Sequence, residues 1–282
     1  METQHTRRIM NEKSYDDYVR QDSLIFADLR TLFTPASVRT VFDIGACEGE
    51  DSLRYARLFP NARIYAFEPL PANQALVKSH FERLSATRCE LIPLALSSEN
   101  GTAVFHVSSG APDEKPHGEE WNYGNKSSSL LPPERVGTGT DWVPWLKFNE
   151  TNIVTTATLD DFCAERGITG IDYVQIDVQG AEWLVLQGAR KMLPKIKCLW
   201  IEVADAEIYK GQRQRPEIEA YLTSLGFRPV RQVNNGLESD ILYVNLRWPS
   251  GFRRWLLICI IKGWHSFRMT LGRWRRGQFR QS

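Results

Sequence analysis

No apolar run in this 282-residue chain is long enough to cross a bilayer, which takes roughly 20 residues as a helix; the run from Trp255 to Ile261 is seven residues long. The first ten residues are polar, carry Arg7 and Arg8, and lack the apolar core of a signal peptide. Cysteine is scarce. The five (Cys47, Cys89, Cys163, Cys198 and Cys259) are odd in number and scattered, with no C-x-x-C pair and no histidine at zinc spacing. A disulfide framework and a structural zinc are therefore not expected, and a reducing, cytosolic compartment is. No internal repeat is visible. What is present, 42% hydrophobic and 24% charged residues, excludes collagen-like, disordered and polytopic membrane classes.

Net charge is nearly absent as well: 35 Lys and Arg against 34 Asp and Glu leave +1. That balance conceals a division. The last acid is Asp240, and the nine basic residues beyond it leave 26 basic against 34 acidic before it, so a body of −8 carries a tail of +9. Trp248, Trp255, Trp264 and Trp274 are interleaved with those basic residues. Such a pattern describes an interfacial helix drawn to an anionic membrane surface. A terminal helix packed on the acidic body and a nucleic-acid-binding arm are the competing readings.

Between about 40 and 230, short apolar runs alternate with amphipathic stretches, the pattern of an α/β sheet with crossover helices. Strands are expected at 41–44, 63–67, 90–94, 102–107, 153–156, 173–176, 198–203, 227–233 and 240–246. Helices are expected at 15–32, 50–59, 71–84, 159–166, 181–193 and 216–225. Residues 108–150 are rich in Gly, Pro and Ser yet hold Trp121, Tyr123, Trp142 and Trp145, which favours a folded cap over a linker. The expected organisation is an N-terminal helical segment at 1–39, a domain at 40–246 with the cap inserted near 108–150, and a basic aromatic tail at 247–282.

The loop Asp43-Ile44-Gly45-Ala46-Cys47-Glu48-Gly49 follows the first strand, where a doubly wound fold places its ligand. It is neither G-x-G-x-x-G nor a phosphate-binding loop with Lys-Ser/Thr, so a nucleoside ligand fits better than a pyrophosphate. Glycines there let the backbone approach a ligand. Glu68, at the end of the second strand and followed by Pro69, can accept hydrogen bonds from both hydroxyls of a ribose. Asp43 suits a cationic ligand, and Ala95-Leu96 lie where adenine packs. Together these residues form the pattern of a class I S-adenosylmethionine site, whereas two glycines alone would mark only a turn.

Val-Phe-Asp-Ile-Gly-Ala at 41–46, Phe-Glu-Pro at 67–69, Leu-Asp-Asp-Phe at 159–162, Ile-Asp-Val-Gln-Gly-Ala-Glu at 176–182 and Asp-Ile-Leu-Tyr-Val-Asn at 240–245 together resemble the FkbM family of methyltransferases. The resemblance spans about 41–245. It implies a class I Rossmann-like fold with a seven-stranded, mostly parallel sheet and helices on both faces, S-adenosylmethionine as cofactor, and O-methylation of hydroxyls on sugars or polyketide-type natural products.

Methyl transfer to an alcohol needs the acceptor oxygen aligned and its proton removed. Asp177, ending the strand 173–176, is the first candidate for base or aligning acid. Glu182 and Glu202 are acids on the same rim. Family members often carry Glu where Gln179 stands, and an amide cannot act as base, which shifts weight onto Asp177 and Glu182. The structural readings remain beside these: Asp177 as a helix cap or a ligand for an amine, Glu182 as a first-turn acid favoured by the helix dipole, and Glu202 as a support. A divalent cation on Asp177 and Glu202, positioning two acceptor oxygens, is the lesser alternative; without a clear third ligand no metal is assigned. His106 and His117 decide nothing. Ser127-Ser128-Ser129-Leu130 resembles a family Ser-Ser-Leu segment that binds ligand or forms a turn. The Asn/Asp-Pro-Pro-Tyr/Phe motif of amino-methylating nucleic-acid enzymes is missing, which disfavours base methylation. The expected function is S-adenosylmethionine-dependent O-methylation of a saccharide, glycolipid or related acceptor, cytoplasmic and peripheral to a membrane; the rival is a non-catalytic, membrane-associated binding protein that keeps the fold. Oligomeric state is not legible.

Overall fold

The structure, a computed structural model, describes residues 15–114, 122–134 and 145–248. Its centre is a seven-stranded sheet in the order β3-β2-β1-β7-β8-β10-β9. The strands are β1 (Thr40–Ile44), β2 (Arg63–Phe67), β3 (Cys89–Ile92), β7 (Ile171–Ile176), β8 (Ile196–Ala204), β9 (Phe227–Asn235) and β10 (Glu238–Asn245). β10 runs antiparallel to both β8 and β9, while β3, β2, β1, β7 and β8 pair in parallel. The chain leaves β1 toward β2 on one side and β7 toward β8 on the other. A crevice therefore opens between the carboxyl ends of β1 and β7.

Both faces of the sheet are covered, so its central strands read as unbroken apolar runs. On β1, Phe42 and Ile44 pack with Phe67, Phe162 and Leu186 on one face. Val41 packs on the other with Phe26, Phe59 and Leu242. Two short helices, α1 (Tyr15–Arg20) and α2 (Phe26–Leu32), replace the single helix expected over 15–32. The expected helix 181–193 covers only Glu182–Gln187. Gly188 is its C-cap, and no other residue fits there because the Ser97 carbonyl lies 2.0 Å from the position of a Cβ.

A second sheet was not foreseen. β4 (Ala95–Leu96), β5 (Gly101–Ser109) and β6 (Lys147–Ala157) form it in the order β4-β6-β5. β6 begins six residues before the expected strand, through largely polar positions around the half-buried Phe148 that carry no alternating pattern. Two of the sequence motifs prove architectural. Thr158 caps the helix Leu159–Glu165 through Asp161 N at 3.0 Å, and Asp160 accepts from the backbone of Lys191 and Met192. Asn245 Nδ2 donates to the carbonyls of Pro194 and Ile196, tying the end of β10 to the start of β8.

Candidate active site

The turn after β1 is fixed by the strands themselves. Gly45 N and Ala46 N donate to the Phe67 carbonyl at 3.1 and 2.9 Å, and Asp177 N donates to the Ile44 carbonyl at 2.9 Å, carrying the β1–β7 pairing one step past the sheet. Gly45 has φ +92°, and a Cβ there would stand 1.8 Å from the Asp177 carbonyl oxygen. This glycine makes room for the loop that follows β7. Gly45→Ala is expected to destabilise the protein by about 3 kcal/mol, from left-handed backbone and overpacking together. A urea titration checks it; a midpoint equal to wild type would contradict the packing argument. Gly49, also left-handed at φ +81°, is required by the Phe81 ring, 2.8 Å from its would-be Cβ.

A cleft of about 520 Å³, its open mouth included, lies over these strand ends. Of the residues expected to bind cofactor, Gly45, Glu68, Pro69, Ala95 and Leu96 line it; Asp177 lines it too. Asp43, Ala46 and Gly49, and the acids Glu182 and Glu202, do not. Asp43 is fully buried beneath the loop, its Oδ2 accepting from the Ser52 hydroxyl at 2.6 Å. Ala46 packs among Leu53, Val77 and Phe81, and Gly49 faces Phe81. Glu182 is 1% exposed and turns back on the chain, Oε1 accepting from Val178 N and Gly180 N at 3.2 and 3.1 Å. Gly180 makes way for the Tyr209 ring, 2.7 Å from its would-be Cβ.

Glu202 stands behind Gln179, whose amide sequence reasoning discounted. Gln179 Nε2 donates to Asp177 Oδ1 at 2.7 Å and to Glu202 Oε2 at 2.8 Å. Its backbone is left-handed at φ +55°, a conformation non-glycine residues hold at some cost. Tyr209 donates its hydroxyl to the Ser127 carbonyl at 2.8 Å and lies 3.2 Å from Gln179 Oε1, so the amide nitrogen faces the two acids. Burial raises both carboxyl pKa values. Glu202 is raised further, since burial is joined by the charges of Asp177, Glu238 and Asp240. Of the pair, Glu202 is the acid whose charge is the more strongly disfavoured. Among the described residues, no group of three or more His, Cys, Asp or Glu is placed to hold a metal ion.

At the other end, Glu68 is 4% exposed. Its Oε2 accepts from Cys47 N at 3.0 Å and its Oε1 from Leu70 N at 2.8 Å. Burial still pushes its pKa up to about 8. A buried carboxylate facing a cleft, with lone pairs left over, fits a ligand that brings hydroxyl donors. Apolar Leu94, Leu96, Phe105 and Leu130 offer an aromatic ring its walls. Of the Ser-Ser-Leu segment, Ser128 lines the cleft but its hydroxyl is bonded to Ser108, while Ser129 Oγ accepts from Leu131 N. The segment leaves the single turn Gly124–Ser127 and bridges to His106 at Ser129, with Ser128 and Leu130 on the cleft wall. His106 pairs its backbone with Ser129, and His117 lies outside the described residues. The lining residues Asn73 and Asn125 were missed, because neither stands in a motif beside the glycine loop.

The strand order, the glycine turn and the acid ending β2 define a class I Rossmann-like methyltransferase. Residues 43–229 match the family model described as the methyltransferase FkbM domain. The chain is 35% identical over 207 residues to 2-O-methyltransferase NoeI of Sinorhizobium fredii, covering 73% of this chain and 79% of that one. It is 28% identical over 207 residues to 31-O-demethyl-FK506 methyltransferase FkbM of Streptomyces tacrolimicus, covering 68% and 74%. Among solved structures, the N-terminal domain of EvdMO1 with SAH bound superposes with a TM-score of 0.42 at 14% identity, over 82% of this chain and 84% of that one. This protein belongs to the FkbM family of methyltransferases. It is an S-adenosylmethionine-dependent methyltransferase.

Proposed function

We propose that the enzyme methylates a hydroxyl oxygen, with a saccharide or a related natural product as acceptor. The observation that carries this reading is Asp177 at the cleft, its carboxyl oxygen accepting from Gln179, which also donates to Glu202. A carboxylate so placed accepts the proton of an alcohol as its oxygen forms the new bond. S-Adenosylmethionine supplies the electrophilic methyl. Glu68 would hold the ribose hydroxyls, Gly45 and Pro69 the adjoining wall, and Ala95 and Leu96 the adenine. Asp43, Ala46 and Gly49 act at one remove, by shaping the loop, and Glu182 holds the turn that presents Asp177. Relatives named for O-methylation support the oxygen as target. Incubation with methyl-labelled cofactor and a panel of glycans, glycolipids and polyols tests it. Label in an ether-linked methyl on a glycan is the expected result; label only on nitrogen or carbon acceptors would overturn it.

The domain organisation and the basic tail belong to the same proposal. No helix among the described residues is long and apolar enough to cross a membrane, and the tail from 249 on lies outside them. Its nine basic residues and interleaved tryptophans support attachment to an anionic lipid surface in the cytoplasm. Flotation with anionic vesicles should carry the full chain upward and leave a chain ending at 248 behind; equal behaviour of the two would refute it.

A further inference from the structure

We propose that Asn125 is a cofactor-contacting residue, its Oδ1 accepting a hydrogen bond from a hydroxyl or ammonium of S-adenosylmethionine. This goes beyond the choice of acceptor and rests only on the cofactor occupying the cleft with its ribose at Glu68. Asn125 stands in the single turn Gly124–Ser127, within the connection from β5 to β6. The turn is pinned on three sides. A Cβ on Gly124 would meet the Gly110 carbonyl at 2.5 Å, Ser127 N donates to Ser108 Oγ at 3.1 Å, and Tyr209 holds the Ser127 carbonyl. Lys126 pairs with Glu50 just past the glycine loop.

The side-chain amide has one orientation. Its Nδ2 donates to Glu48 Oε1 at 2.9 Å and to Asn73 Oδ1 at 3.3 Å. Rotating the amide by half a turn would set oxygen against two acceptors, so the nitrogen must face them. Oδ1 is thereby directed elsewhere, and it has no hydrogen-bond partner among the described residues. Asn125 is 9% exposed and lines the cleft. A buried carbonyl left without a donor is costly, and such an atom at a cleft marks a place where a ligand brings the donor. Asn73 in turn hydrogen-bonds Glu68, so a chain runs from Glu68 through Asn73 and Asn125 to Glu48. That chain sets Asn125 toward the ribose and methionine part of the ligand and away from the adenine. The surrounding acids Glu48 and Glu68 favour a hydroxyl or ammonium donor over any anion.

Calorimetry of the full chain with S-adenosylhomocysteine, and with analogues lacking either the ribose hydroxyls or the α-amino group, tests this. Asn125→Ala is expected to weaken the parent ligand about tenfold, the range of one hydrogen bond with charge assistance. One analogue, already weaker against wild type, should bind wild type and variant alike, and which one it is identifies the donor. Unchanged binding of the parent, or both analogues distinguishing the two proteins as the parent does, would overturn the proposal. Glu68→Ala is the reference: if it loses affinity and Asn125→Ala does not, Asn125 alone fails; if neither loses, the cofactor placement fails. A crystal structure of the wild-type chain with S-adenosylhomocysteine reads the same point without substitution. It should place a ligand hydroxyl or amine within hydrogen-bond distance of Asn125 Oδ1, and no ligand donor within reach would overturn the assignment.

Discussion

Asp177→Asn is expected to lower the rate of methyl transfer by about two to four orders of magnitude, the usual contribution of a positioned base. Affinity for S-adenosylhomocysteine should be nearly unchanged. The substitution keeps the shape of the side chain and an acceptor for Gln179, so it removes the proton acceptor and little else. The opposite pattern, weakened cofactor binding with an intact rate at saturation, would mean that Asp177 holds an amine of the ligand instead. The raised pKa of Asp177 adds a second signature. Burial disfavours its charge, so the acidic limb of the rate profile should lie above the ordinary carboxylate range. Gln179→Leu, which removes the donor to both acids, should move that limb further up, because the ionised form loses a hydrogen bond.

The second large effect is on the cofactor. Glu68→Ala is expected to weaken S-adenosylhomocysteine binding by about 100-fold, through the loss of hydrogen bonds to a charged acceptor. It also removes a pH dependence whose sign follows from burial. In the free protein Glu68 titrates at about 8 against 4.5 for an unperturbed glutamate, and only its ionised form accepts from two hydroxyls at once. Binding therefore expels a proton, and affinity should rise with pH up to about 8 and then level off. Without ligand the sign is reversed. Glu68 and Glu182, both raised to about 8, add stability that is complete below about 4.5 and lost as pH rises through 8. The unfolding temperature of the unliganded wild type should therefore fall from about pH 6 to about pH 9. Thermal melts with and without ligand check both signs. A pH-independent affinity in wild type would show that Glu68 does not carry the ribose.

Much of the fold is legible in the residues, for a physical reason. Strands such as Val41–Ile44 and Arg63–Phe67 are covered on both faces, so they appear as apolar runs ended by glycine or proline. Errors fall where the local pattern and the three-dimensional cause part company. The apolar rhythm of 181–193 continues past Gly188, but the helix is capped there by a glycine whose place against the Ser97 backbone admits no side chain. Ala95–Leu96 is two residues long and pairs only with a strand about 60 residues away, a partner no local window reveals. The site divides in the same way. Glu68 and Asp177 are readable because each ends a strand at the crevice. The acids at 182 and 202 follow β7 and end β8 on the same rim, yet one folds back on its own turn and the other stands behind an amide. Asn125 joins the cleft only because the β5–β6 connection returns across the glycine loop, a fact that resides in the packing.

The central claim is that Asp177 receives the proton of a hydroxyl acceptor in this cleft. The most direct test is a single-turnover assay with isotopically labelled S-adenosylmethionine and a glycan acceptor, run on wild type and Asp177→Asn with product analysis by NMR. Label in an O-methyl group with wild type, and a yield lowered by orders of magnitude in the variant at saturating cofactor, is the predicted result. Equal O-methylation by the two proteins would contradict it.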